Sequence, residues 1–199
     1  RKELGLGKDD PVSRDLRHMT NGGQTPFYSD YYLQAAWAEL IFGSPKMAVR
    51  YFEEALACNS DSGKEHSLLA DAVFGCIVCG DDRRGKKYGE KLRIWLNQES
   101  FQARDRFFNS ARSKLYYRIL GSFYTASSDT LQELLGQKDT TENCHFCTNP
   151  FCKELEGIYI IFLHRQGKSG EAQERLARNL EIFPQDEFML AIRHTVFGE

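Results

Sequence analysis

Three cysteines in the last third of the chain have the spacing of a metal site. Cys144 and Cys147 are separated by two residues, and Cys152 follows shortly after them. Two thiolates at this separation can reach one ion through a tight turn, and a structural zinc site needs four ligands. A structural zinc held by these three thiolates and a further residue such as Cys79 or His164 is therefore one prediction. Free thiols, or a disulfide between Cys144 and Cys152, are the open alternatives.

Basic residues are concentrated in the middle of the chain. One cluster begins at Arg83, and a second region, from Arg104 to Arg118, has aromatic residues between its cations. On one ridge, such interleaving would suit single-stranded nucleic acid. Burial of the aromatics with the cations left in water explains the same pattern, as does an acidic partner peptide. The predicted ridge consists of Arg83, Arg84, Lys86, Lys87, Arg112 and Arg118.

Length and charge limit the classes of protein to consider. The 199 residues have a mass of 22.9 kDa, which suits one domain or one short repeat array. Lys and Arg total 26 against 28 Asp and Glu, so the net charge of -2 argues against a general nucleic-acid binder. No apolar run approaches the roughly 20 residues of a membrane-spanning helix. We therefore expect no membrane association.

The motifs of common enzymes are missing from the sequence. It has no Gly-rich phosphate loop after a strand, no His-Glu-x-x-His and no nucleophile elbow. We therefore expect a protein that is not an enzyme. Cys76 and Cys79 lie in an apolar segment, where cysteines behave as small buried hydrophobic residues. This cysteine usage favours a reducing intracellular compartment, the cytoplasm or the nucleus.

The apolar residues recur at helical spacing from Phe27 onward, and no Pro falls between 46 and 149. This pattern predicts an all-α fold of nine helices. The predicted helices cover 29–42, 45–58, 64–79, 83–97, 100–125, 128–137, 151–166, 168–182 and 185–197. Short connections make them four antiparallel hairpins and one leftover helix. Residues 1–26 are expected to be a partly mobile lead segment, and residues 27–199 to form the helical domain.

Two stretches place a glycine, an alanine and a bulky residue at the same intervals. They are Gly43, Ala48 and Phe52 near the start, and Gly167, Ala172 and Leu176 near the end, where Pro184 follows. The small alanine lets the second helix of a hairpin approach the first, and the bulky residue fills the groove beside it. The pattern resembles the tetratricopeptide repeat over about 29–62 and 153–186. In the second hairpin Gly85 and Gly89 are expected to make that approach unusually close.

The resemblance implies a right-handed superhelical array of about four antiparallel hairpins with a C-terminal capping helix. The first helix of each hairpin would line a concave face. The inward positions are Asp30, Leu33, Trp37 and Leu40 in the early repeat, and Glu154, Gly157, Ile161 and His164 in the late one. The predicted partner-binding residues among them are Leu33, Trp37, Leu40, Ile161 and His164. The Lys, Asn and Arg of family members that bind a terminal carboxylate do not occur there. The apolar positions suit a hydrophobic peptide, an amphipathic helix or a second copy of the chain.

These observations lead to two expected functions. The first is a non-enzymatic protein–protein interaction scaffold or adaptor, which docks a partner segment on the apolar concave face within a larger assembly. The alternative is a nucleic-acid-associated scaffold that uses the basic region 83–118. The apolar stripe of Leu33, Trp37 and Leu40 could also be ordinary core, or be covered by residues 1–26.

Overall fold

The structure, a computed structural model, describes residues 26–59, 64–97, 111–137 and 150–198. Within these ranges it contains nine α-helices, one π-helical turn and no strand, so the predicted all-α fold is confirmed. The helices are α1 (Pro26–Phe42), α2 (Pro45–Cys58), α3 (Glu65–Cys79), α4 (Asp82–Leu96), α5 (Ala111–Ser122), α6 (Ser128–Gly136), α7 (Pro150–Arg165), α8 (Ser169–Ile182) and α9 (Glu187–Ile192). The π-helical turn Arg193–Phe197 follows α9 directly.

Local sequence signals set most helix ends close to their predicted positions. Pro45 is the first residue of α2, where its missing N–H costs no hydrogen bond. Gly80 ends α3 with a left-handed φ of 69°, which glycine adopts without strain. The side chain of Asp81 then accepts a hydrogen bond from the Arg84 N–H at 3.1 Å and begins α4. The last predicted helix differs, because its second half is the wider π-helical turn.

Successive helices pack against one another along the chain. The connections 43–44 and 80–81 have two residues each, so α1 folds back on α2 and α3 on α4. Contacts also join α2 to α3, α4 to α5, α5 to α6 and α7 to α8. None of the helices in the described ranges is long and apolar enough to cross a bilayer.

Small residues mark the places where helices approach most closely. Ala48 and Ala172 are both fully buried, as the hairpin spacing predicted. A Cβ at Gly85 would overlap the ring of Tyr124, and one at Gly89 would lie 3.5 Å from the carbonyl oxygen of Leu120. Both glycines do allow a close approach, but it joins α4 to α5 and the turn that follows it, and not to α3, the first helix of the same hairpin, as predicted.

The C-terminal helix has neighbours at both ends of the chain. α9 contacts α7 and α8, as expected of a cap, and it also contacts α1. The π-helical turn contacts α1 and α3. In an open repeat array each repeat contacts only its neighbours. The last helix here returns to the first one, so the described helices share one apolar core.

Replacing Ala48 by Leu should lower the free energy of unfolding by about 1–3 kcal/mol, because a larger side chain must displace the packed helix beside it. Ala57→Leu is the matched control on the same helix, since Ala57 is exposed and its change should stay within about 0.5 kcal/mol. Urea unfolding followed by circular dichroism measures both. Equal losses for the two variants would contradict the close approach at Ala48.

Candidate functional site

The α1 residues of the predicted concave face differ in burial. Leu40 is fully buried, whereas Leu33 and Trp37 are partly buried against the core. The Trp37 ring stacks on Phe74 with ring centroids 5.6 Å apart, and meets Phe52 edge-on at 6.1 Å. Such aromatic pairs contribute roughly 0.5–1.5 kcal/mol each beyond the area they bury. Trp37 is thus held rigidly by its own chain on two sides.

The α7 part of the face is mostly interior. Ile161 is 1% exposed and lies in the core. His164 is partly buried, with its ring edge-on to Phe197 at 5.0 Å and its Nδ1 3.2 Å from the hydroxyl of Ser169. The prediction that a partner contacts Leu40 and Ile161 is therefore wrong for this conformation, because the chain's own helices enclose both side chains.

The chain's own C-terminal residues occupy much of the predicted concave face. We call residues 187–197 the C-terminal segment. The centroid of its Phe188 ring lies 4.7 Å from the centroid of the Trp37 ring and 4.8 Å from the centroid of the Phe74 ring. Its Ile192 passes over Gly157, where an added Cβ would come within 2.9 Å of the Ile192 Cδ1. A larger residue at position 157 would therefore oblige the Ile192 side chain to shift. Phe188 and Ile192 lie one helical turn apart.

Polar contacts fix both ends of the C-terminal segment. The hydroxyl of Thr195 donates a hydrogen bond to the carbonyl oxygen of Leu40 at 3.0 Å. The Nε2 atom of His194 lies 3.1 Å from the carbonyl oxygen of Gly43. At the other end the Asp186 carboxylate accepts a hydrogen bond from the N–H of Met189 at 3.1 Å and pairs with Lys153 at 2.9 Å. The last residues of the chain are therefore bonded to α1 and α7.

Two carboxyl groups outside the predicted partner-binding set, Asp71 of α3 and Glu154 of α7, are partly buried. Burial raises the pKa of Asp71 to about 7 and that of Glu154 to about 8. Both also raise the pKa of the buried Tyr116 beyond the effect of its own burial. The Oε2 atom of Glu154 is buried without a hydrogen-bond partner. At pH 7 Glu154 therefore keeps most of its proton occupancy and Asp71 about half, and a protonated carboxyl can donate a hydrogen bond.

The predicted basic ridge is only partly assembled. The side chain of Arg84 is 43% exposed, and its guanidinium pairs with Asp81 at 2.7 Å and with Glu53 at 3.1 Å. The Tyr88 hydroxyl donates a further hydrogen bond to the same Glu53 oxygen at 2.7 Å. This network joins α4 to α2, and two acidic partners offset the charge that Arg84 would bring to the ridge.

The other ridge cations divide into three groups. Arg83, Lys86 and Lys87 are exposed on α4, with the Lys87 amine 5.2 Å from the centroid of the Tyr88 ring. Arg118 lies on α5 and lines a cavity of about 270 Å³ between α4 and α5. Arg112 belongs to α5, but its side chain lies outside the described residues.

The cysteine predictions are resolved only where the structure describes the side chains. Cys144 and Cys147 lie outside the described ranges, and so does the side chain of Cys152, so zinc stays a prediction. Across the described part of the chain no three His, Cys, Asp or Glu side chains are placed to hold a metal. Cys76 is a fully buried free thiol, and burial raises the pKa of Cys79 to about 12. Both therefore behave as the buried hydrophobic residues that the sequence predicted.

No family model, no curated protein and no solved structure matches the chain. The reading of this site therefore depends on its residues alone.

The free energy of unfolding should fall as the pH rises from about 4 to about 8, because Asp71 and Glu154 keep protons in the native state that the unfolded chain releases. Each group can contribute a slope of up to about 1.4 kcal/mol per pH unit. In Asp71→Asn/Glu154→Gln this decline should be smaller. Urea unfolding at pH 5 and pH 8 measures it, with the exposed Glu187→Gln as control. An unchanged decline in the double variant would refute the assignment.

Proposed function

We propose that this chain is a non-enzymatic interaction scaffold that docks an apolar helical segment of a protein partner on its predicted concave face. We also propose that its hairpins follow the right-handed superhelical path of tetratricopeptide repeats. The contacts between helices support that path. The second helix of one hairpin packs on the first helix of the next, in α2 with α3 and α4 with α5, and first helices meet in α3 with α5 and α5 with α7.

One observation carries the proposal, namely that the predicted inward positions contact an apolar helical segment of the same chain. Phe188 and Ile192, one turn apart on the C-terminal segment, lie against Trp37 of α1 and Gly157 of α7. Helix-in-groove recognition uses apolar anchors with this spacing. The segment that lies there in cis supports an amphipathic helix as the preferred partner, supplied by another protein or by a second copy of the chain.

The half-buried state of Trp37 supports its role as the central anchor. Tryptophan dominates the binding energy of many interfaces when its ring is rigid and close to the centre of the patch. Here Phe52, Phe74 and Phe188 hold the ring, and part of it remains accessible beside Leu33. A partner helix can therefore extend the aromatic cluster in which Trp37 lies.

Charge and thiol chemistry agree with a protein partner inside the cell. The pairing of Arg84 with Asp81 and Glu53 offsets the charge of one cation in the ridge that nucleic acid would need. We therefore rank the nucleic-acid-associated scaffold second.

The thiols of Cys58, Cys76 and Cys79 are free, which favours a reducing compartment, the cytoplasm or the nucleus.

A labelled synthetic peptide of residues 185–199 tests whether this face binds a helix. Phe188→Ala weakens the segment that competes in cis, so this variant should bind the peptide about tenfold more tightly than the original chain. Adding Trp37→Ala should abolish the gain. Fluorescence anisotropy measures the affinity, and circular dichroism checks that each variant is folded.

The control for this experiment is Ile94→Ala, which removes an exposed apolar side chain from α4, away from the face. It should bind the peptide as the original chain does. A Phe188→Ala variant that is folded and binds the peptide no better than a scrambled peptide would refute the proposed docking face.

A further inference from the structure

We infer that the cavity between α4 and α5 is a second binding site, which takes an aromatic side chain flanked by carboxylates on an acidic peptide. The site consists of Arg93, Leu96, Asn97, Lys114, Tyr117, Arg118, Gly121 and Ser122. It shares no residue with the predicted concave face, so it does not depend on the function proposed for that face.

The charge around the cavity is uniformly positive. Arg93 on α4 and Lys114 and Arg118 on α5 all line it, and no Asp or Glu does. Arg93 is held by two hydrogen bonds to Glu90, at 2.6 and 3.2 Å. Lys114 and Arg118 are exposed, and neither has an ion-pair partner among the described residues. Two cations one helical turn apart are thus available to carboxylates that approach the cavity.

The walls of the cavity favour an apolar group at its centre. Leu96 of α4 and Tyr117 of α5 line it, and Gly121 lies where the two helices are close, since a Cβ there would be 3.7 Å from the Cα of Arg93. The volume is about 270 Å³, which is smaller than the roughly 300–1,000 Å³ of drug-sized ligand pockets. One large side chain fits this space better than a cofactor does.

Nucleic acid fits the same features less well than an acidic peptide. Non-specific binding of single strands needs a basic groove along several nucleotides and exposed aromatic faces on which bases stack. The cavity has room for one large side chain, and Tyr117, the one aromatic residue that lines it, is 4% exposed, so no row of exposed aromatic faces is present here for successive bases. Carboxylates on both sides of one aromatic residue can instead reach Lys114 and Arg118 while the ring enters the cavity.

The test uses the full chain and fluorescein-labelled peptides in about 50 mM salt, where screening is weak. The peptide DEDFDED should bind saturably, whereas DEDADED and NQNFNQN should each bind about tenfold more weakly, because one lacks the ring and the other lacks the carboxylates. Lys114→Glu/Arg118→Glu should weaken DEDFDED binding by at least about tenfold.

The matched control is Lys46→Glu/Lys168→Glu, which makes the same change in net charge at two exposed lysines outside the cavity. It should retain most of the affinity for DEDFDED. Circular dichroism establishes that both double variants are folded, and Lys114→Gln/Arg118→Gln provides a milder pair if the charge reversal unfolds the chain. Equal affinity of the two Glu variants, absence of saturable binding, or tighter binding of a uridine 12-mer than of DEDFDED would overturn the inference.

Discussion

The apolar contact between the first and last described helices is the constraint on which the rest of the arrangement depends. Phe188 of α9 inserts beside Trp37 of α1 and Phe74 of α3, and Ile192 of the same helix crosses α7 at Gly157. A short helix cannot bury its apolar face alone, so α9 is stable only where α1, α3 and α7 form a common surface. The same surface sets which residues a partner can reach.

Much of the helical fold is predictable from the sequence because its signals are local. The burial of Ala48 and Ala172 follows from small residues at fixed intervals, and the end of α3 follows from one glycine with a left-handed backbone. Gly85 illustrates a subtler signal, since a glycine inside a helix has a packing reason when a ring such as that of Tyr124 lies against it. Helix periodicity and the positions of small residues were therefore sufficient to predict the all-α fold and several helix ends.

The occupant of the apolar face was much harder to predict. Sequence periodicity indicates that Leu40 and Ile161 lie on the apolar faces of their helices. It does not indicate which distant segment of the chain covers those faces. The repeat resemblance made the last helix a cap on the nearest hairpin, and it did not place Phe188 beside Trp37 of the first helix. The pairing of Arg84 with Glu53 was missed for the same reason, because the two residues are 31 positions apart and meet only through helix packing.

A double-mutant cycle between Trp37 and Phe188 tests most directly whether this aromatic contact holds the last helix on the first. The free energy of unfolding is measured for the original chain, Trp37→Leu, Phe188→Leu and the double variant. A favourable coupling of about 0.5–1.5 kcal/mol between the two rings is predicted. Losses that add within about 0.3 kcal/mol would contradict the account, because the two side chains would then be energetically independent.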